Sequence, residues 1–150
     1  DVRPLPLRDL AVVNVSVSGA RVRDVLREQV PLLHAHRSRV SLVTCTIGSN
    51  DLLRSPNAAR TIGAMRALFD ALDGFPIVAV ATLPIGAVSI SGRLVNAMIR
   101  REAPPRGFVV ADVATSYRPP YRDKVAPDRF HPNGAGYADW AAAFVEALDW

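Results

Sequence analysis

Four short, nearly continuous apolar runs, at residues 10–15, 40–46, 77–82 and 108–113, constrain this chain more than any other feature. Each is rich in valine or isoleucine and lacks the polar alternation of a half-exposed strand. Runs of this kind fit strands covered on both faces. Helical spacing fills the intervals between them. Residues 21–33 carry Val22, Val25, Leu26 and Val30, with Pro31 near the end. Ser55-Pro56 reads as a cap and first-turn pair for a helix that runs to Leu72 and stops at Asp73-Gly74. Residues 93–101 form a shorter candidate. A last helix, about 134–148, sets Tyr137, Trp140, Ala141, Phe144, Val145 and Leu148 on one stripe. Strand and helix alternate throughout, so the expectation is a single α/β domain over 1–150, a doubly wound parallel sheet with helices on both sides.

Composition narrows the function classes. The chain has 150 residues and no apolar run of eighteen or more, which excludes a membrane-spanning helix. Net charge is +4, and of the 18 basic residues only Lys124 is a lysine. Arg21, Arg23, Arg27, Arg60, Arg66, Arg100 and Arg101 are spread over helical segments without interleaved aromatics, which favours a solvated arginine-rich surface over a nucleic-acid interface. Cys45 is the single cysteine, so a disulfide framework is excluded; its apolar setting suits a buried structural thiol. The start, Asp1-Val2-Arg3-Pro4, reads as a chain entered part-way through. Compartment, cytoplasmic or secreted, is not fixed by these features.

In open parallel sheets, ligands bind beyond the carboxyl ends of the strands. After the first run comes 14–19, where Gly19 lets the chain turn sharply and point an amide upward; a plain strand-to-helix turn is the alternative. After the second comes Gly48-Ser49-Asn50-Asp51. Asn50 offers an NH₂ group to a developing oxyanion, and Asp51 a carboxylate to loop or helix-start amides. The sharpest feature is Asp128-Arg129-Phe130-His131-Pro132-Asn133-Gly134, directly before the last helix. A carboxylate and an imidazole at this spacing can meet across a turn, fixing the tautomer and supporting the imidazolium. A surface pair that helps to cap the helix is the alternative. His34 and His36 fit a helix C-terminus on the surface. No cluster has metal-ligand spacing, and no glycine-rich phosphate loop follows a strand.

In this order and at these strand ends, the features resemble the SGNH (GDSL-type) hydrolases. The resemblance implies a flavodoxin-like three-layer α/β/α fold with a parallel sheet. It implies oxyanion-hole roles for Gly19 and Asn50, and a catalytic Asp-x-x-His at Asp128 and His131. Thr82-Leu83-Pro84 also resembles the segment just after the family's next strand. The family's first block, a strand ending in Gly-Asp-Ser, is not among the eighteen residues before Gly19. The resemblance therefore implies that the nucleophilic serine lies upstream of Asp1, or on a separate chain. Its strand would sit between those ending near Val15 and Thr46. Ser16, Ser18 and Ser49 fit loop caps better than a nucleophile elbow. The implied activity is carboxylic-ester hydrolysis through a serine acyl-enzyme, with no cofactor or metal. Implied substrates are short acyl esters, lysophospholipids, thioesters or acetylated sugars. Ile85, Val88, Ile90, Tyr117 and Tyr121 would form an apolar wall, and the Pro-rich stretch 117–127 a site-forming loop. The alternatives are a non-catalytic ligand-binding module on the same scaffold and a flavodoxin-like nucleotide or phosphate binder.

Overall fold

The computed structural model of the chain describes residues 11–84, 89–116, 120–128 and 131–150. Three of the four apolar runs are strands: β1 (Val43–Cys45), β2 (Val78–Ala81) and β3 (Val109–Ala111). They pair in parallel in the order β1-β2-β3, with Val43 opposite Val78 and Ala79 opposite Val109. β2, flanked on both sides, is buried along its whole length.

The helices are α1 (Val22–Asp24), α2 (Val30–Ala35), α3 (Ser49–Arg54), α4 (Ala58–Leu72), α5 (Ile90–Glu102), α6 (Val113–Ser116) and α7 (Gly134–Ala147). A π turn, Val25–Gln29, joins α1 to α2, and Val30 N–H donates to the Val25 carbonyl. Pro31 explains the widening. It has no N–H for the Arg27 carbonyl one turn back, and its ring crowds that carbonyl.

Successive strand residues face opposite ways, so the two faces of β2 belong to different clusters. Val78 and Val80 join Met65, Leu68, Phe69 and Leu72 of α4 with Val95, Met98 and Ile99 of α5. Phe69 meets Phe108 edge-on, with ring centroids 5.6 Å apart. On the other face, Ala81, Ala111 and Val113 meet Ala143 of α7, with Trp140, Phe144 and Ala147 against them. The small strand residues let α7 approach closely. A parallel sheet between two helical layers is thus in place.

Several sequence expectations need correction. The run at 10–15 is not a strand in its described part: residues 11–17 carry no sheet pairing, and Val12 and Val13 are 89% and 81% exposed. Leu10 lies outside the described residues. Apolar residues form a strand only where a neighbour completes the ladder, and none of the described strands pairs with this segment. The cap of α4 is Asn57, whose side chain accepts the Arg60 N–H, and not Ser55. The α7 stripe is rotated: Gly136 and Ala143 are its buried residues, whereas Tyr137 and Val145 are exposed. Residues 48–51 are not a loop, because Gly48 caps α3 and Asn50 and Asp51 stand in its first turn.

Cys45 is buried as expected, and burial pushes its thiol up to about 12. The folded state therefore holds the proton more tightly than the unfolded chain. This contribution to stability is full below the ordinary thiol value of 9.0 and is lost as pH rises toward 12. Unfolding free energy should fall across that window by up to about 1.4 kcal/mol per pH unit. Denaturant titrations of wild type and Cys45→Ala at rising pH check this: the variant should show the shallower decline.

Candidate active site

β1 ends at Cys45 and the chain turns through Gly48, whose φ of 116° is a left-handed value that suits glycine. A side chain there would meet Leu83 methyl carbons at 3.3–3.4 Å. The turn launches α3, so Asn50 and Asp51 face back toward residues 19–22. Asn50 Nδ2 donates to the Ala20 carbonyl at 3.0 Å, and Asp51 Oδ2 accepts the Val22 N–H at 3.1 Å. Gly19, with φ of 76°, makes the turn that brings Ala20 under Asn50. An amide NH₂ carries two protons. One is committed to Ala20, which fixes the side-chain plane. Burial raises the Asp51 carboxyl above the ordinary range, outweighing the Val22 N–H that lowers it.

The second pair lies in the segment that enters α7. Asp128 holds His131 at two points: Oδ1 accepts the His131 backbone N–H at 3.0 Å, and Oδ2 lies 2.7 Å from Nδ1. The two side chains are 50% and 58% exposed. The supporting loop is closed by an antiparallel bridge between Val125 and Pro132, with Ala126 N–H donating to the His131 carbonyl at 2.7 Å. Asn133 then caps α7, accepting the Ala135 and Gly136 N–H groups while its own NH₂ reaches the Asp123 and Val125 carbonyls. Lys124 pairs with Asp139 of α7. The imidazole is held by its own loop, with Nδ1 against the Asp128 carboxylate.

Two features at the same strand ends escaped sequence reasoning. Asn96, buried in α5, accepts the Leu83 N–H at 2.6 Å and donates to the Leu83 carbonyl at 2.9 Å. This fixes the exit of β2. The visible signal was an amide among the apolar residues of α5. Asn96→Ala would leave both Leu83 groups unpaired, and a loss of about 2–3 kcal/mol in thermal or denaturant unfolding is expected. Beyond β3, Asp112 accepts the Thr82 hydroxyl at 2.8 Å and pairs with Arg100 at 2.7 Å. Burial pushes the Asp112 carboxyl up, but the Arg100 guanidinium and the Thr82 and Thr115 hydroxyls prevail and hold it below its ordinary value.

The expected apolar wall is only partly visible. Ile85, Val88 and Tyr117 lie outside the described residues. Ile90, 70% exposed, opens α5, and Tyr121 opens the short 3₁₀ turn Tyr121–Asp123. His34 is on the surface, as expected, with Nε2 2.9 Å from the Ala71 carbonyl. Among the described residues, no group of His, Cys, Asp and Glu is placed to hold a metal ion, and no helix is long and apolar enough to cross a membrane.

The chain thus combines a parallel α/β sheet with a carboxylate-held histidine just before α7 and the Asn50 amide in the helix that follows β1. The sequence matches the GDSL-like Lipase/Acylhydrolase family over residues 4–138, and the chain belongs to that family. With membership comes the family's general activity, carboxylic-ester hydrolysis. Among solved structures, the chain is similar to a lipolytic protein of the G-D-S-L family from Veillonella parvula. That match has 17% identity and a TM-score of 0.70, covering 87% of this chain and 76% of that one. It is also similar to an acetylxylan esterase from Geobacillus stearothermophilus, at 20% identity and a TM-score of 0.68, covering 89% of this chain and 69% of that one. A third is an alpha/beta hydrolase enzyme from the metagenome of Lake Arreo, Spain, at 21% identity and a TM-score of 0.64, covering 88% and 69%. At these identities the likenesses establish the fold. No curated protein matches the sequence significantly.

Proposed function

We propose that the protein hydrolyses small carboxylic esters through a serine acyl-enzyme, with Asp128 and His131 as the proton-handling pair. The observation that carries this reading is the two-point hold of Asp128 on His131. It selects the tautomer and orientation that a general base needs. His131 Nε2 takes the proton of the serine hydroxyl as the oxygen attacks the ester carbonyl, then delivers it to the departing alcohol. Water repeats the sequence to release the acid. The Gly19 N–H and the second Asn50 Nδ2 proton hold the oxyanion, each on a turn that Asn50 ties together.

The nucleophile comes from a strand seated on the outer edge of β1, upstream of Asp1 or on a separate chain. Two observations support this placement. β1 pairs only with β2 among the described residues, which leaves a row of ladder groups on its other side. The apolar segment at 11–17 stands exposed, as a strand whose neighbour is missing would. Ser16 and Ser18 belong to that exposed segment and Ser49 opens α3, so none of them is assigned the role. The substrates are short acyl esters, lysophospholipids, thioesters or acetylated sugars, and the chemistry needs no cofactor.

Stopped-flow hydrolysis of a short-acyl nitrophenyl ester tests the reading. A burst of nitrophenol followed by slower turnover is expected, because the activated nitrophenyl leaving group makes acylation faster than deacylation and the acyl-enzyme accumulates. A saturable ligand-binding response with no turnover would favour the binding-module reading.

A further inference from the structure

The arginines that look scattered in the sequence are not scattered in the fold. Several are paired: Arg66 with Glu102, Arg100 with Asp112, Arg106 with Asp70 and Asp73. Four others gather instead around one cleft of about 120 Å³, lined by Arg21, Arg23, Arg54 and Arg60 with Asp51 and Ser55. Two sit at the start of α1, one ends α3 and one stands in the first turn of α4.

Their pairing is incomplete. Among the described residues, neither the Arg54 nor the Arg60 guanidinium has an ion pair or hydrogen bond. Arg21 Nε is buried with no hydrogen-bond partner, and its approach to Asp24, 3.5 Å, is longer than a charge-assisted hydrogen bond. Arg23 reaches the same carboxylate only at 3.6 Å. Arg60 is in addition a cation in the first turn of a helix that has no acid there, where the helix dipole disfavours positive charge. An arrangement that is unfavourable by itself becomes favourable when an anion occupies the cleft. The cleft lining carries four guanidinium groups and a single carboxylate, Asp51. The Asp24 that Arg21 and Arg23 approach lies outside that lining and also pairs with Arg27, so the cleft keeps a surplus of positive charge suited to a phosphate anion. Planar guanidinium forks suit tetrahedral phosphate oxygens.

The cleft adjoins the candidate oxyanion hole. An Arg54 nitrogen comes within 4.0 Å of where a side chain on Gly19 would begin, and the cleft-lining Asp51 directly follows Asn50. We propose that this arginine cleft is a phosphate-binding subsite beside Gly19 and Asn50, taking a phosphate group carried by an ester substrate or free in solution. The site is built of side chains on helix ends and needs no glycine-rich loop. It deepens the esterase reading by naming a substrate class, and rests on that reading only for the step from binding to turnover.

Calorimetric titration with inorganic phosphate, and then with glycerol 3-phosphate, tests the site without turnover. Saturable binding by the wild type is expected, weakened at least about tenfold in the Arg54→Gln/Arg60→Gln double variant. The melting temperature should stay in place, because both side chains are exposed. Tighter binding of glycerol 3-phosphate than of phosphate assigns the subsite to a phosphorylated organic ligand, and equal or weaker binding assigns it to free phosphate. No saturable binding by the wild type, or equal binding by the variant, overturns the proposal. Hydrolysis of uncharged nitrophenyl acetate by the wild type is read separately; its absence would count against the esterase reading and leave the phosphate result standing.

Discussion

Replacing His131 by alanine should lower ester turnover by on the order of a thousandfold or more, with little change in stability. The size follows from the role: without Nε2 no group takes the hydroxyl proton, and the serine attacks as a neutral alcohol. The small structural cost follows from exposure, since the His131 side chain is 58% accessible and its loop is tied through backbone atoms and Asn133. Asp128→Asn is the finer probe. The amide oxygen can still accept the His131 backbone N–H, but the full negative charge that supports an imidazolium is gone. A turnover loss of similar order with an unshifted melting temperature is the expected result. If both variants retained near-normal rates, the pair would be a helix-entry device and nothing more.

Asn50→Ala should reduce kcat by about a hundredfold or more, with KM largely unchanged, because the lost proton serves an oxygen whose charge develops only in the transition state. The same amide ties Ala20 to α3, so the variant also loses a part-buried hydrogen bond, worth about 1 kcal/mol. The two effects separate by measurement. A purely structural Asn50 would show a lowered melting temperature with kcat nearly intact at a temperature where the protein stays folded. A catalytic Asn50 shows the large kcat loss under those same conditions.

Legibility in the sequence tracked how local the determining physics is. β1, β2 and β3 each lie inside an apolar run, because burial on both faces writes a continuous valine-rich signature. The run at 10–15 carries the same signature, yet its described part is unpaired. Strand formation depends on a neighbour that no local pattern records. The Asp128–His131 contact was readable from a spacing of three residues, whereas the Asn50–Ala20 bond spans thirty residues and needed the turn at Gly48 to exist first. The same distance hid the arginine cleft. Arg21, Arg23, Arg54 and Arg60 come from three separate helices, and only the packing of α1, α3 and α4 places them side by side. Asn96 was visible as a residue but not as an anchor, since its partner, Leu83, comes from a different element.

The most direct measurement is labelling of the purified protein with a fluorophosphonate probe, with peptide mapping of the adduct. The expected result is one labelled serine on a peptide preceding Asp1 or belonging to a separate chain, with labelling abolished in His131→Ala. A folded protein that takes no label would contradict serine acyl-enzyme chemistry. A label on Ser16, Ser18 or Ser49 would contradict the placement of the nucleophile on a strand beside β1.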